Sequence, residues 1–391
     1  MSRLLVGTMV VVAAIVFGTW SLYLEPKLTL FSPDQRLHHF AHMEKVFPSR
    51  TIKAGDNRHE WTVALRDVAA NYRFDGTQRQ REEFLTRTNS TSLLVIKDGT
   101  IVHEEYRHGY DQQSRATSFS VAKSVVATMM QIARQEGKID SFDDPVVKYL
   151  PEMAESGFAR ASLEHVLNMS SGIAFTEIYE DESADSYTIF ERLFLKFQPL
   201  KTVTASYGSQ NVPGETFYYA SINTQLLAQV LMAVYDKSLS ELVETKLWQP
   251  LGMGNEAAWN TDIYGTEIGF MALNATPRDF ARFGLMISQM GRVGDAQIVD
   301  ADWIDHIRTA PEPYLQRGQI YDAWGYHHQW WLPERSTQDF AAIGIWGQMI
   351  YIHPEQQLVI VKTGADPDFH DHEVEVIALF RAIGDGLSKV R

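Results

Sequence analysis

Ser120 and Lys123 stand three residues apart at the opening of an apolar run, in Ser118-Phe119-Ser120-Val121-Ala122-Lys123-Ser124. Residues three apart share a helix face, so a first-turn serine hydroxyl can meet the lysine amine within hydrogen-bond reach. A serine is a weak nucleophile until a neighbouring base takes its proton. Lysine serves as that base when burial and the positive end of a helix disfavour its ammonium form. Taken alone, the spacing equally fits a helix cap followed by a solvated lysine. A second candidate is Tyr219-Ala220-Ser221, after Pro213-Gly214. A buried tyrosine beside an amine can exchange a proton, and its hydroxyl needs a partner in any case. Neighbours on an extended segment point to opposite faces, so Tyr218 competes with Tyr219 for that role.

These side chains need elements to hold them. Leu93-Leu94-Val95-Ile96 and Ile101-Val102 flank Asp98-Gly99, which predicts a β-hairpin. The Ser120 helix is expected to run to about Gln135 and to end at Gly137. Ser162 to Gly172 reads as a short helix stopped by glycine. Thr224 to Tyr235 and Ser238 to Leu247 read as amphipathic helices, the second opened by a Ser238/Glu241 capping box. Thr276-Pro277 starts another, with proline where its missing N–H costs nothing. Strands return at Gln348 to His353 and Leu358 to Thr363, across a turn at Pro354-Glu355, before a helix from about Glu373 to Leu387. Strands at both ends around a helical middle predict an α+β fold: an antiparallel sheet built from both chain ends, with helices on it and an inserted helical part. The expected division is 61–124 with 291–391 as the α/β part and 125–290 as the helical part. Residues 28–60, punctuated by Pro33-Asp34 and Pro48-Ser49, are expected as a connecting arm.

The chain has 391 residues, no cysteine and a formal charge of −14. No cysteine means no disulfide, thiolate metal site or cysteine nucleophile. The acidic balance argues against nucleic acid as a partner. Leu4 to Leu24 carries no charge and is long enough to cross a bilayer. With Arg3 before it, residues 1–27 are expected as a membrane anchor, or a cleaved signal peptide, that leaves the body on the periplasmic side of a bacterial inner membrane. His38, His39 and His42 have no third ligand at a helpful spacing. They read as a wet helix face, and His370-Asp371-His372 as surface. No metal and no cofactor are expected.

The ordered set SFSVAKS, SLEHVLNMSSGI, PGETFYYAS, ATPRDFARFG and GIWGQ resembles the serine β-lactamase-like hydrolases over roughly residues 80 to 385. Within them it is most similar to the class C, esterase and 6-aminohexanoate-dimer hydrolase branch. The resemblance implies a Ser120 acyl-enzyme, with Tyr219 passing the proton near Lys123 and Ser221 helping to hold the lysine. It implies a pocket strand at Gly344-Ile345-Trp346, with an oxyanion hole from the backbone N–H groups of Ser120 and Ile345. Gly344 and Trp346 then border the substrate. Lys362-Thr363-Gly364 imitates a Lys-Thr-Gly motif, but only one helix follows it, so Lys362 is read as a decoy. Ala342 stands where many relatives have Lys or His, which weighs against recognition of a β-lactam carboxylate.

The resemblance also matches Tyr179, in the acidic stretch FTEIYEDESADSY, to a pocket-covering tyrosine. Asp181, Glu182 or Asp185 either faces a cationic substrate end or forms a solvated charge run. Trp324, Trp330, Trp331 and Trp346 suit core packing or an apolar acyl site. The expected function is a serine hydrolase of small esters or amides. A β-lactamase or D-alanyl-D-alanine carboxypeptidase, and a catalytically silent binding protein on the same fold, stand as alternatives.

Overall fold

The computed structural model describes residues 18, 20–334 and 338–388. Its centre is a seven-stranded antiparallel sheet. The strands are β1 (Ser90–Lys97), β2 (Thr100–Tyr106), β3 (Trp324–His327), β4 (Trp330–Pro333), β5 (Phe340–Gly344), β6 (Gln348–His353) and β7 (Leu358–Gly364). They lie in the order β3-β4-β5-β6-β7-β1-β2. The pairing of β7 with β1, Val361 opposite Leu94 and Val359 opposite Ile96, closes the late strands onto the early hairpin. This is the expected α+β sheet from both chain ends. The hairpin turns where Asp98 and Gly99 both take positive φ, the conformation a two-residue turn requires.

Side-chain alternation sorts the strands onto two cores. Leu94, Ile96, Ile350, Ile352, Val359 and Val361 face α1 (Val121–Gln135) and the large helical core. Leu93, Val95, Met349, Tyr351, Leu358 and Ile360 face the other way, onto the C-terminal helix. Between them in sequence come α2 (Leu163–Leu167), α3 (Ser221–Tyr235), α4 (Pro277–Ser288) and α5 (Ala301–Ile307), with α6 (Phe369–Ser388) last. The helix α4 lies close on the sheet at Gly284, where a methyl group would stand 2.7 Å from Val359 Cγ1. The cap at Ser238/Glu241 forms as expected. The mainly helical middle of the chain also holds strands Ala257–Asn260 and Leu273–Ala275. These join Ser49–Ile52 and Ala116–Thr117 in a four-stranded antiparallel sheet that feeds directly into Ser118.

Two expectations about the N-terminus are corrected. Residues 28–60, expected as a connecting arm, do not form a bare tether. Phe40, Met43, Val46, Phe47 and Ile52 are buried in the main core, and Ser49–Ile52 pairs with Ala257–Asn260. Its helices, Arg36–Ala41 and Met43–Val46, are too short to show a helical period in sequence. The membrane anchor over Leu4–Leu24 is not borne out either. Among the described residues no helix is long and apolar enough to cross a membrane. Residues 4–17 and 19 lie outside the described ones. Trp20–Leu24 forms a π-helical turn running into Glu25–Leu28, and the Tyr23 hydroxyl donates to the Phe194 carbonyl at 3.1 Å. That end of the segment is tied to the body, and an uncharged stretch of sequence alone does not make a span. The membrane partner and the inner-membrane, periplasm-facing location fall with the anchor.

Phe40→Ala tests the packed N-terminal segment. Truncating a buried phenylalanine costs about 3–5 kcal/mol, so the urea midpoint should fall clearly. An unchanged midpoint would mean that the segment is only a tether.

Candidate active site

Ser120 is the N-cap of α1, with Lys123 one turn later on the same face. The Lys123 side chain is buried, and its Nζ donates to Ser120 Oγ at 2.7 Å and to the Phe270 carbonyl at 3.0 Å. Burial pushes its pKa down to about 8, against the opposing charge of Glu177. Loss of one proton reverses the short bond, so that the amine accepts from the serine hydroxyl. That is the state a base needs.

The choice between the two tyrosines is made by packing. Tyr218 lies against the helical core. The Tyr219 ring lies 5.1 Å from Lys123 Nζ and packs on Trp331 at 5.5 Å and Tyr326 at 6.2 Å. Burial first, and then the Glu177 charge, raise the Tyr219 pKa well above its ordinary value, with the Ser120 hydroxyl working the other way. Tyr219 is therefore a phenol at neutral pH, able to hand a proton on but not to act as the resting base.

Ser221 departs from its expected role. Its hydroxyl donates to Glu177 Oε1 at 2.6 Å, and its backbone N–H donates to Glu177 Oε2. The lysine is held by the Phe270 carbonyl instead. Tyr179 also donates to Glu177 Oε1, at 2.5 Å, and its ring lies 5.5 Å from His370 and 6.0 Å from Phe369. His370 thus sits beside the Tyr179 loop. Asp181 accepts from Ser183, and Asp185 accepts from Thr176, so both carboxylates serve local turns. Glu177 is the carboxylate that reaches the Lys123 neighbourhood. Nothing in the sequence set it apart from the other acids of its stretch.

The strand β5 ends at Gly344, and Ile345–Gly347 forms a tight turn rather than more strand. A methyl group at Gly344 would lie 2.5 Å from the Ser118 carbonyl oxygen and 3.0 Å from the Ser120 nitrogen. Glycine is what lets this strand end close onto the backbone of Ser120. Ile345 follows Gly344 immediately in the chain. Two bulky residues flank the approach in left-handed conformation, Phe119 at φ 42° and Trp346 at φ 63°. Phe40 meets both edge-on, at 5.0 Å and 5.6 Å, while Phe31 stacks on Trp346 at 5.4 Å. Trp330 and Trp324 are buried core residues, so of the four tryptophans Trp331 and Trp346 border the site.

Ala342 is fully buried toward α1. Lys362 lies on the opposite face of the sheet, donates to the Gly347 carbonyl at 3.2 Å and borders Asp366 and His372. His372 is bonded to Asp366 at 2.8 Å, so it is part of that cluster rather than free surface.

The family model described as Beta-lactamase matches residues 78–375. The 6-aminohexanoate-dimer hydrolase of Paenarthrobacter ureafaciens is 26% identical over 343 residues, covering 84% of this chain and 85% of the relative. Among solved structures, a 6-aminohexanoate-dimer hydrolase homologue from Bacillus anthracis superposes with TM-score 0.83 and 26% identity. It covers 92% of this chain and 96% of its own. EstCE1, a hydrolase with promiscuous acyltransferase activity, superposes with TM-score 0.62 at 14% identity, over 78% of this chain and 96% of its own, and shares the fold.

Gly344→Ala places a methyl group against Ser118 and Ser120. Modification of Ser120 by a serine-directed phosphonate should slow by about tenfold or more, the scale of losing part of one oxyanion donor, with an unchanged circular dichroism spectrum. Unaltered labelling would show that the strand end plays no part in the site.

Proposed function

The chain belongs to the Beta-lactamase family and is a serine hydrolase of the amide/ester type; we propose that it cleaves small linear amides or esters through an acyl-enzyme on Ser120. The observation that carries this reading is the 2.7 Å contact between Ser120 Oγ and a buried Lys123 amine whose pKa is pushed down to about 8. At pH 7 roughly a tenth of such an amine is neutral, against fewer than about one in a thousand for an ordinary lysine.

In the proposed mechanism, neutral Lys123 takes the Ser120 proton as Oγ attacks the substrate carbonyl. The tetrahedral oxyanion sits between the backbone N–H groups of Ser120 and Ile345, each worth on the order of 3 kcal/mol in the transition state. Tyr219 then passes a proton to the departing amine or alcohol and recovers one from Lys123. Water enters and the same groups run the steps in reverse order to release the acid. Trp331 and Trp346 border the apolar part of the substrate, with Gly344 at its carbonyl and Tyr179 above it.

Three features favour neutral or cationic substrates over β-lactams. Ala342 offers no charge to orient a carboxylate. The Lys362 amine lies on the far face of the sheet, held by the Gly347 carbonyl. Glu177 adds a negative charge near Lys123 and Tyr219. We infer that a linear amide with a cationic amino end fits this site better than a penicillin.

The test is a substrate panel of activated short-chain esters, linear ω-amino amides and penicillins, with Ser120→Ala and Lys123→Ala controls. Esters and linear amides should turn over and penicillins should not, and both variants should lose turnover and phosphonate labelling. Efficient penicillin hydrolysis that is lost in Lys362→Ala would overturn the reading. The pH profile gives a second check. Activity should rise as Lys123 loses its proton and level off above about pH 8. Because Glu177 raises the Lys123 pKa, Glu177→Gln should move that limb to lower pH. A limb that stays put, or moves up, would remove Glu177 from the electrostatics of the base.

A further inference from the structure

A cluster away from Ser120 has the chemistry of a metal site. Glu164 on α2, His306 on α5, and His327 and His328 at the tip of the β3–β4 hairpin bring their ligand atoms within 4.8 Å of one another. The hairpin turns tightly there, with His328 and Gln329 both at positive φ. Gln329 pins the tip. Its carbonyl accepts from Ser124 at 2.7 Å, and its amide donates to the Leu167 carbonyl at 2.7 Å.

The hydrogen bonds fix the tautomer of each hairpin histidine. His327 Nδ1 lies 2.9 Å from the His306 carbonyl, which only accepts, so Nδ1 carries the proton. His327 Nε2 therefore presents a lone pair. The residue is fully buried, and Nε2 has no hydrogen-bond partner. Such an atom costs stability unless something fills its lone pair. Glu164 Oε1 is 3.9 Å away, and the His306 ring lies 4.4 Å from that of His327.

His328 is arranged differently. Its Nδ1 accepts from Trp303 Nε1 at 3.1 Å, so its Nε2 carries the proton and donates to Glu164 Oε2 at 2.9 Å. It is a support for the carboxylate, not a ligand, in the way that second-layer groups orient metal ligands. Asn168 Nδ2 holds the other oxygen at 2.8 Å.

We propose that Glu164, His306 and His327 bind a divalent transition-metal ion of the zinc type, with His328 and Asn168 orienting the carboxylate. Zinc holds nitrogen and oxygen ligands at about 2.0–2.2 Å, which places them about 3.3 Å apart in a tetrahedron. The Glu164–His327 pair, at 3.9 Å, has to close by about 0.6 Å to reach that spacing. His306 is exposed and closes on them by side-chain rotation. The cluster opens on a cleft of about 950 Å³ lined also by Asp300, Asp302 and Glu312, which leaves a fourth position for water. The chemistry, two imidazoles and a carboxylate, selects first-row N/O-binding ions over calcium or magnesium.

The ion would clamp the hairpin tip to α2 and α5. The clamp reaches the catalytic region indirectly, because β4 carries Trp331 against Tyr219. None of the proposed ligands bonds to Ser120 or Lys123, so zinc binding is read out separately from the proposed reaction. Untagged full-length protein, stripped with chelator, is titrated with Zn²⁺ by calorimetry and melted with and without the ion. One ion per chain should bind and raise the melting temperature by several degrees, and Mg²⁺ should do neither. His306→Ala, at an exposed position, and the near-isosteric Glu164→Gln should each weaken Zn²⁺ binding by about tenfold or more, with Ser120 labelling retained. No binding up to roughly 100 µM free zinc, far above the dissociation constant of a structural zinc site, would overturn the proposal. So would binding that both variants leave unchanged.

Discussion

Everything at this site turns on keeping one amine out of water. Desolvating an ammonium costs several kcal/mol unless strong partners compensate. The hydrogen bonds of Lys123 run to one hydroxyl and one carbonyl, with no carboxylate among the described residues in direct contact. That environment favours the neutral amine. The rest of the structure holds it in place. The helix α1 is buried from Val121 to Ala133, the Leu273–Ala275 strand fixes where that helix begins, and the Phe270 carbonyl is set by the loop entering the same strand. Glu177, close enough to influence Lys123 but engaged by Ser221 and Tyr179, keeps the shift from going further.

A second constraint is conformational. Phe119 and Trp346 both adopt left-handed backbone, which costs of order 1–3 kcal/mol each for a non-glycine residue. They flank the point where Gly344 meets Ser120. Phe31 and Phe40 pack on both rings, and each aromatic pair of this kind contributes about 0.5–1.5 kcal/mol beyond its burial. The N-terminal segment thereby offsets strain stored beside the nucleophile. This links residues far from the reaction to its geometry.

Much of this was legible in the sequence because it depends on local periodicity and caps. The β1–β2 hairpin, the helix beginning at Ser120, the Ser238/Glu241 cap, the start at Thr276-Pro277 and the closing pair of strands followed from patterns a few residues long. What was not legible involves partners distant in sequence. Residues 28–60 read as a linker because their helices are one to two turns long and are ordered by contacts with Phe119, Trp346 and the Ala257–Asn260 strand. Ser221 was matched to the lysine, but the carboxylate 44 residues earlier captures it. The Glu164, His306 and His327 cluster draws on three separate elements, so no spacing announces it. The expected anchor rests on hydropathy and the flanking charge, neither of which can see Tyr23 bonded to the body.

Attack by Ser120 requires Lys123 to be a neutral base within reach near physiological pH. The direct measurement is an NMR titration of the protein with its lysines labelled at the ε-carbon, the Lys123 signal being assigned by its loss in Lys123→Ala. A titration midpoint near pH 8 is expected for Lys123, well below those of the exposed lysines. A midpoint at the ordinary lysine value, about 10.4, would contradict the account, because the amine would then be an ammonium throughout the working range and Ser120 would have no base.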